Sequence, residues 1–315
     1  FKVGTYKSAV EPFFLKKFSD ANREQLTSFL GSVWGNLTTA IEKSRNISSD
    51  ELDRYLNEGL AMGQAFNAVD YKLADGLRYR YEVENCVKEM AGQDVKGKLK
   101  TAGVDKVASI KVKEKDSGNK IAVLYAEGEI RDDDSSSPFS ADEQVISEEM
   151  ANKLRKLKDD DDVKAVVFRV NSPGGSAYIS EQIWKEVVEL KAKKPIVVSM
   201  GNYAASGGYY ISCAANKIVA ERTTLTGSIG VFGVVRNFTG TFDKVGVTTD
   251  IVKTNTFADL GDISRPMRED EKALIQRGVE QTYDLFLTRC ADGRGMTKAE
   301  IDSIGQGRVL SLIHI

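Results

Sequence analysis

The sequence predicts an α/β protein with a largely parallel sheet and flanking helices. Three observations carry that expectation. From Lys120 onward, short apolar runs alternate with segments of helical periodicity, as βαβ units require. Two consecutive apolar runs end in glycine-rich turns, at the strand ends where sites gather in parallel sheets. The chain has 315 residues, 41% of them hydrophobic, which is enough for roughly two domains with a core each.

The elements follow in order. The opening FKVGTY is strand-like. Residues 22–45 repeat apolar positions at helical spacing through Leu26, Phe29, Leu30, Val33, Trp34, Leu37 and Ile41. Ser48-Ser49-Asp50-Glu51 supplies N-cap chemistry for a second helix carrying Leu52, Tyr55 and Leu56. A third patterned segment runs from Ala65 to Leu77 and breaks at Gly76. From Gly92 to Asn119 the chain is Lys-rich and weakly patterned, which sets a domain boundary near 112–120. Lys120–Arg131 reads as a strand and Asp132–Ser137 as a polar loop, followed by a helix over roughly 141–158. Then come a strand Val163–Asn171, a helix from about Tyr178 to Lys193 and a strand Pro195–Gly201. A helix beginning near Ser206 and a strand Lys217–Arg222 complete the series. The Asp159–Asp162 run reads as a solvated loop between helix and strand, with a metal cluster as the sharper alternative.

An internal repeat is visible at a shift of 249 residues, reading directly from the sequence. GTYKSA (4–9) falls on KTNTFA (253–258), and SSDELD (48–53) falls on TKAEID (297–302). Leu26, Leu30, Trp34 and Leu37 fall on Ile275, Val279, Tyr283 and Phe286, and Arg45 on Arg294. A chance match of two helical stripes is the alternative. On the repeat reading, residues 1–112 are the back part of one domain copy and 118–315 most of a second. Lys7 of the first copy then corresponds to Thr256 of the second.

Composition excludes several functions. Lys and Arg number 44 against 46 Asp and Glu, a net charge of −2, which argues against a nucleic-acid binder. No apolar run approaches the ~18 residues of a membrane span. Cys86, Cys213 and Cys290 cannot all pair and form no CxxC pattern, so neither a disulfide framework nor a structural zinc site is implied. The one histidine is His314, next to the last residue, which leaves no base for a Ser-His-Asp or Cys-His enzyme. The chain opens on Phe1 and closes on the uncapped apolar tail 310–315, so we expect a fragment of a longer protein with a non-native end.

Two turns could carry chemistry. Asn171-Ser172-Pro173-Gly174-Gly175-Ser176 sits between a strand and a helix, where paired glycines let amide N–H groups point into a site. An oxyanion hole, a phosphate cradle and an ordinary tight turn all fit it, although no Walker lysine follows. Tyr203-Ala204-Ala205-Ser206-Gly207-Gly208 again ends a strand in small residues, with Ser206 where a helix begins. Ser206 is there either a nucleophile or a helix N-cap. A nucleophilic serine needs a base, and a lysine serves when burial brings its pKa toward neutrality. Lys7 stands among small and apolar neighbours, although a solvated surface group is the usual state of a lysine. In Thr226-Gly227-Ser228-Ile229-Gly230-Val231, Ser228 could orient a buried lysine or satisfy a turn.

The segments YKSAVEPF, NSPGGS, YAASGGYYIS and TGSIGV, in that order, resemble the long form of the bacterial signal peptide peptidase A family, the protease IV type. The resemblance implies tandem ClpP/crotonase-like domains, with a Ser/Lys dyad split between the copies. Matched by motif, Ser206 corresponds to the nucleophile, Lys7 to the general base, Gly207 and Gly175 to the oxyanion-hole amides, and Ser228 to the lysine-orienting residue. It implies no metal or other cofactor, and signal-peptide remnants and other small apolar peptides as substrates. It further implies a homo-oligomer, taken as a tetramer, near the extracytoplasmic face of the bacterial inner membrane. The membrane anchor would lie outside these residues. After Gly307-Arg308-Val309 the chain departs from the family pattern. A crotonase-like acyl-CoA enzyme and an inactive scaffold of the same fold are the alternatives.

Overall fold

A computed structural model describes residues 1–58, 64–108, 118–131 and 144–310. Its first elements are β1 (Lys2–Val3), a 3-10 turn at Glu11–Phe13, α1 (Asp20–Arg45), α2 (Ser49–Asn57), α3 (Asn67–Asp70), α4 (Arg80–Met90) and α5 (Val104–Ala108). Then follow β2 (Lys120–Glu127), β3 (Glu129–Ile130), β4 (Val145–Ile146), α6 (Glu149–Asp159), β5 (Val163–Ser172), α7 (Ala177–Lys193), β6 (Ile196–Ala205) and α8 (Gly207–Tyr210). The last are β7 (Lys217–Val219), β8 (Leu225–Gly227), β9 (Val231–Phe232), α9 (Thr239–Val245), α10 (Glu269–Arg294), α11 (Lys298–Ile304) and β10 (Val309–Leu310). The chain divides into two compact units, Phe1–Val33 with Gly118–Ile315, and Trp34–Ser117.

The first unit is built on a sheet of order β10-β8-β6-β5-β2, with β7 also pairing β6. Every pairing in it is parallel except that of β10 with β8. β5 explains why this sheet forms. Val163, Val166, Phe168 and Val170 are buried on it, and the crossover through the 17-residue α7 is long enough to return β6 parallel to it. α7 buries Ile179, Ile183, Trp184, Val187 and Leu190, a helical stripe that covers the sheet. Tyr283, Phe286 and Cys290 of α10 join the same core. All three cysteines are free thiols, two of them buried.

Several boundaries differ from the sequence expectation. β6 runs to Ala205 rather than to Gly201, because Tyr203, Ala204 and Ala205 pair with Leu225, Thr226 and Gly227 of β8. The opening strand stops at Val3, since the chain then folds back and Lys7 N donates to Gly4 O at 3.2 Å. The helix expected over 141–158 begins only at Glu149, because Val145 and Ile146 pair in parallel with Glu129 and Ile130. Residues 141–143, the polar loop from Asp132, the end of the Lys-rich segment (109–117) and His314 lie outside the described residues. The strand expected to Arg222 ends at Val219, and Thr224 Oγ1 then accepts from Glu221 N in a turn. Of Ala65–Leu77 only Asn67–Asp70 is helical. In the Asp159–Asp162 run, Asp159 pairs with Lys193 and Asp162 with Lys120, as on a solvated loop.

In the second unit, α2 opens on a capping box between Ser48 and Glu51, and Tyr55 stacks on Tyr71 at 4.0 Å. α1 and α10 each have 26 residues, and both are followed by a helix opened by a capping box, at Ser48 and at Thr297. Among the described residues no helix is long and apolar enough to cross a membrane.

Candidate active site

β6 delivers Ser206 in an uncommon backbone state. Its φ is 53° and ψ −119°, a region that costs a non-glycine residue about 1–3 kcal/mol. The hydrogen bond from Ser206 N to Gly227 O, 2.9 Å, holds it there. The side chain makes no capping hydrogen bond to α8, which removes the N-cap alternative. Instead Ser206 Oγ lies 3.1 Å from Lys7 Nζ.

Lys7 comes from the segment after β1. Antiparallel pairing of Lys2 and Val3 with Phe232 and Val231 sets that segment beside the Thr226–Val231 turn. Tyr6 N donates to Gln306 O at 2.8 Å, which fixes it from the other side. Gly307 makes this approach possible: its φ is 77°, and a Cβ there would stand 2.6 Å from Lys7 N. Lys7 is 4% exposed, and burial pushes its ammonium down from 10.5 to about 8.

The Lys7 amine has three neighbours, Ser206 Oγ at 3.1 Å, Ser228 O at 3.1 Å and Ser228 Oγ at 2.9 Å. The neutral amine donates to both Ser228 oxygens and offers its lone pair to the Ser206 hydroxyl proton. The ammonium donates to all three. One geometry therefore serves both protonation states, and a proton can move without rearrangement. Among the described residues Lys7 makes no ion pair, so no charge anchors its proton.

The NSPGGS turn (171–176) lies against Ser206: a Cβ on Gly174 would meet Gly207 N at 2.7 Å. Gly175 has φ 146°, and a Cβ there would fall 2.0 Å from Ile130 O, so only glycine fits. Ile130 N donates to Gly174 O at 2.8 Å and Ser176 N to Ile130 O at 2.7 Å, which holds the turn open. Among the described residues the Gly175 and Gly207 amides have no protein acceptor, so both are available to an oxyanion. A cleft of about 780 Å³ contains Lys7, Ser206, Gly207, Gly175 and Ser228. Its walls are largely apolar, with Ile130, Pro173, Tyr210, Val231, Phe232 and Phe286, and it also includes Glu129 and Arg131.

All five site residues singled out in the sequence thus meet in one cleft. The sequence reading missed Gly307 and Gln306, the turn that receives the lysine segment. Their signal is the Gly305-Gln306-Gly307 spacing, which lies 298 or more residues from Lys7 in the chain and has no local meaning.

Comparison with known proteins adds to this geometry. Peptidase family S49 matches residues 1–94 and 188–312, and the Clp protease family matches residues 139–229. The chain is 38% identical over 98% of its length to Protease 4 of Salmonella typhi, of which it covers 50%. It is 31% identical over 98% of its length to the chloroplastic serine protease SPPA of Arabidopsis thaliana, of which it covers 46%. The chain therefore spans about half the length of these curated relatives. Among solved structures, a mutant ClpP1 from Listeria monocytogenes superposes at TM-score 0.37 with 14% identity, covering 61% of this chain and 83% of that one.

Proposed function

The chain belongs to peptidase family S49, and from that membership we propose that its cleft performs serine endopeptidase chemistry with a Ser206/Lys7 dyad. The observation that carries the proposal is the buried lysine 3.1 Å from the Ser206 hydroxyl, with no histidine among the described residues that line the cleft.

Neutral Lys7 takes the Ser206 proton as Oγ forms a bond to the peptide carbonyl carbon. The carbonyl oxygen becomes an oxyanion, to which the Gly175 and Gly207 amide N–H groups donate hydrogen bonds. When the C–N bond breaks, protonated Lys7 returns the proton to the leaving amine. A water then attacks the resulting ester, giving its proton to Lys7, and that proton ends on Ser206 Oγ. Ser228 orients the amine through both of its oxygens. The apolar cleft walls favour small apolar peptides, signal-peptide remnants among them.

Two domain copies are part of the same proposal, 1–112 carrying the lysine and 118–315 carrying the serine. The matched lengths of α1 and α10 and their paired capping boxes support it. The helical stripe differs between the copies, buried at Val279 and Phe286 and exposed at Leu30 and Leu37. We further propose a homo-oligomer, a tetramer, held at the extracytoplasmic face of a bacterial inner membrane by an anchor outside these residues.

The test is peptidase activity of Ser206→Ala and Lys7→Ala in the full-length protein. Each should lose activity by on the order of 10³-fold or more. Either variant retaining wild-type turnover of an apolar peptide would overturn the dyad. Hydrolysis of acyl-CoA with no peptide cleavage would favour the crotonase alternative.

A further inference from the structure

A buried polar cluster outside the cleft leads back to Lys7. Gln25, in the second turn of α1, is 7% exposed, and both ends of its amide are used. Its Nε2 donates to Tyr6 O at 3.2 Å and Ser8 Oγ at 3.0 Å, the residues on either side of Lys7. The same nitrogen reaches Asn22 Oδ1 at 3.0 Å. Its Oε1 accepts from Val309 N at 3.3 Å, on the strand paired with β8. Asn22 in turn donates to the buried Glu11 carboxylate at 3.1 Å, which also accepts from Ser19 Oγ at 2.7 Å. Burial alone would raise the Glu11 carboxyl, but the hydrogen bonds from Ser19 and Asn22 outweigh it and hold its pKa below the ordinary value. None of Glu11, Asn22 and Gln25 borders the cleft.

We propose that Gln25 is the positioning residue of the dyad, holding the Tyr6 carbonyl on one side of Lys7 and the Ser8 hydroxyl on the other and tying both to the strand beside Ser228. A lysine side chain has four flexible methylenes, so its amine stays where it is needed only if its backbone is fixed. Both flanking residues meet one amide group, and that amide also holds Val309, one residue from Arg308, whose carbonyl accepts from Ser228 N at 2.6 Å. Among the described residues, the charged groups around Lys7 are Lys2 on its own segment and Glu129 and Arg131 across the cleft, and Gln25 bonds to none of them. Losing Gln25 therefore acts by loosening the segment and admitting water to the amine. This assignment rests on the reading of Lys7 as the base.

The test separates the two. Lys7 reactivity toward acetic anhydride, followed by mass spectrometry against pH in the full chain, reports the amine directly and does not depend on catalysis. Gln25→Leu should move its midpoint upward by about one pH unit, leaving roughly tenfold less neutral amine near neutrality. Phosphonate labelling of Ser206 should slow by the same factor and recover as pH rises. Gln25→Met keeps the length and packing and should shift in the same direction, which covers a failure of the leucine variant to fold. Ala21→Gly weakens the same helix without touching the network and should keep the wild-type midpoint. A folded Gln25→Met or Gln25→Leu chain with the wild-type Lys7 midpoint overturns the proposal. If instead Lys7→Met labels at Ser206 as fast as wild type, the dyad itself fails, whatever Gln25 does to the amine.

Discussion

Replacing Lys7 by methionine should make the stability of this protein depend less on pH. The buried amine is brought from 10.5 to about 8 by desolvation. Between those values the unfolded chain holds a proton that the folded chain has released, so wild-type stability rises with pH across the window. Below about 8 the folded chain carries the full penalty of a buried ammonium, and above 10.5 none of it. The difference amounts to about 3 kcal/mol, at roughly 1.4 kcal/mol per pH unit. Methionine has no proton to lose, but it forfeits the bonds to Ser228 O and Ser228 Oγ, a pH-independent loss of about 1 kcal/mol each. Urea denaturation of both proteins across the window measures the balance. The variant should gain about 3 kcal/mol relative to wild type on going from above 10.5 to below 8. A stability difference that stays constant with pH, or that moves the other way, would refute the claim that Lys7 is buried and neutral.

Three further outcomes follow from the geometry. Ser206→Gly and Ser206→Ala should both be inactive, but glycine should be more stable by about 1 kcal/mol because it relieves the positive φ, as calorimetry of the two can check. Gly307→Ala would press a Cβ to 2.6 Å from Lys7 N, so activity should fall at least about tenfold, with the loss read in kcat rather than KM. Ser228→Ala removes one of the three amine neighbours and should lower kcat about 10- to 100-fold, while peptide binding, measured by inhibition with an uncleavable analogue, stays near wild type.

Much of the fold was legible because its signals are local. β5, α7 and β6 alternate in the chain as they alternate in space, and each carries its own apolar periodicity. β3 and β4 were not legible, since two-residue strands have no period; they pair with each other, and Ile130 of β3 also bridges to the Gly175 turn. That is why Val145 and Ile146 were absorbed into an expected helix. Ser206 was visible as a small-residue strand end, but its φ of 53° was not. The site is assembled across 199 residues from Lys7 to Ser206 and 221 to Ser228, and only the fold brings those together. Gln25 was hidden for a related reason. As a polar residue beside an apolar helical stripe it reads as solvent-facing, and only its burial against Tyr6, Ser8 and Val309 gives it a task.

The most direct measurement is the rate at which a peptidyl phosphonate labels this protein, followed against pH and mapped by mass spectrometry. The dyad predicts a single adduct on Ser206, a rate that rises through about 8 as Lys7 loses its proton, and no such rise in Lys7→Met. An adduct on another serine, or labelling of Lys7→Met at the wild-type rate, would contradict it.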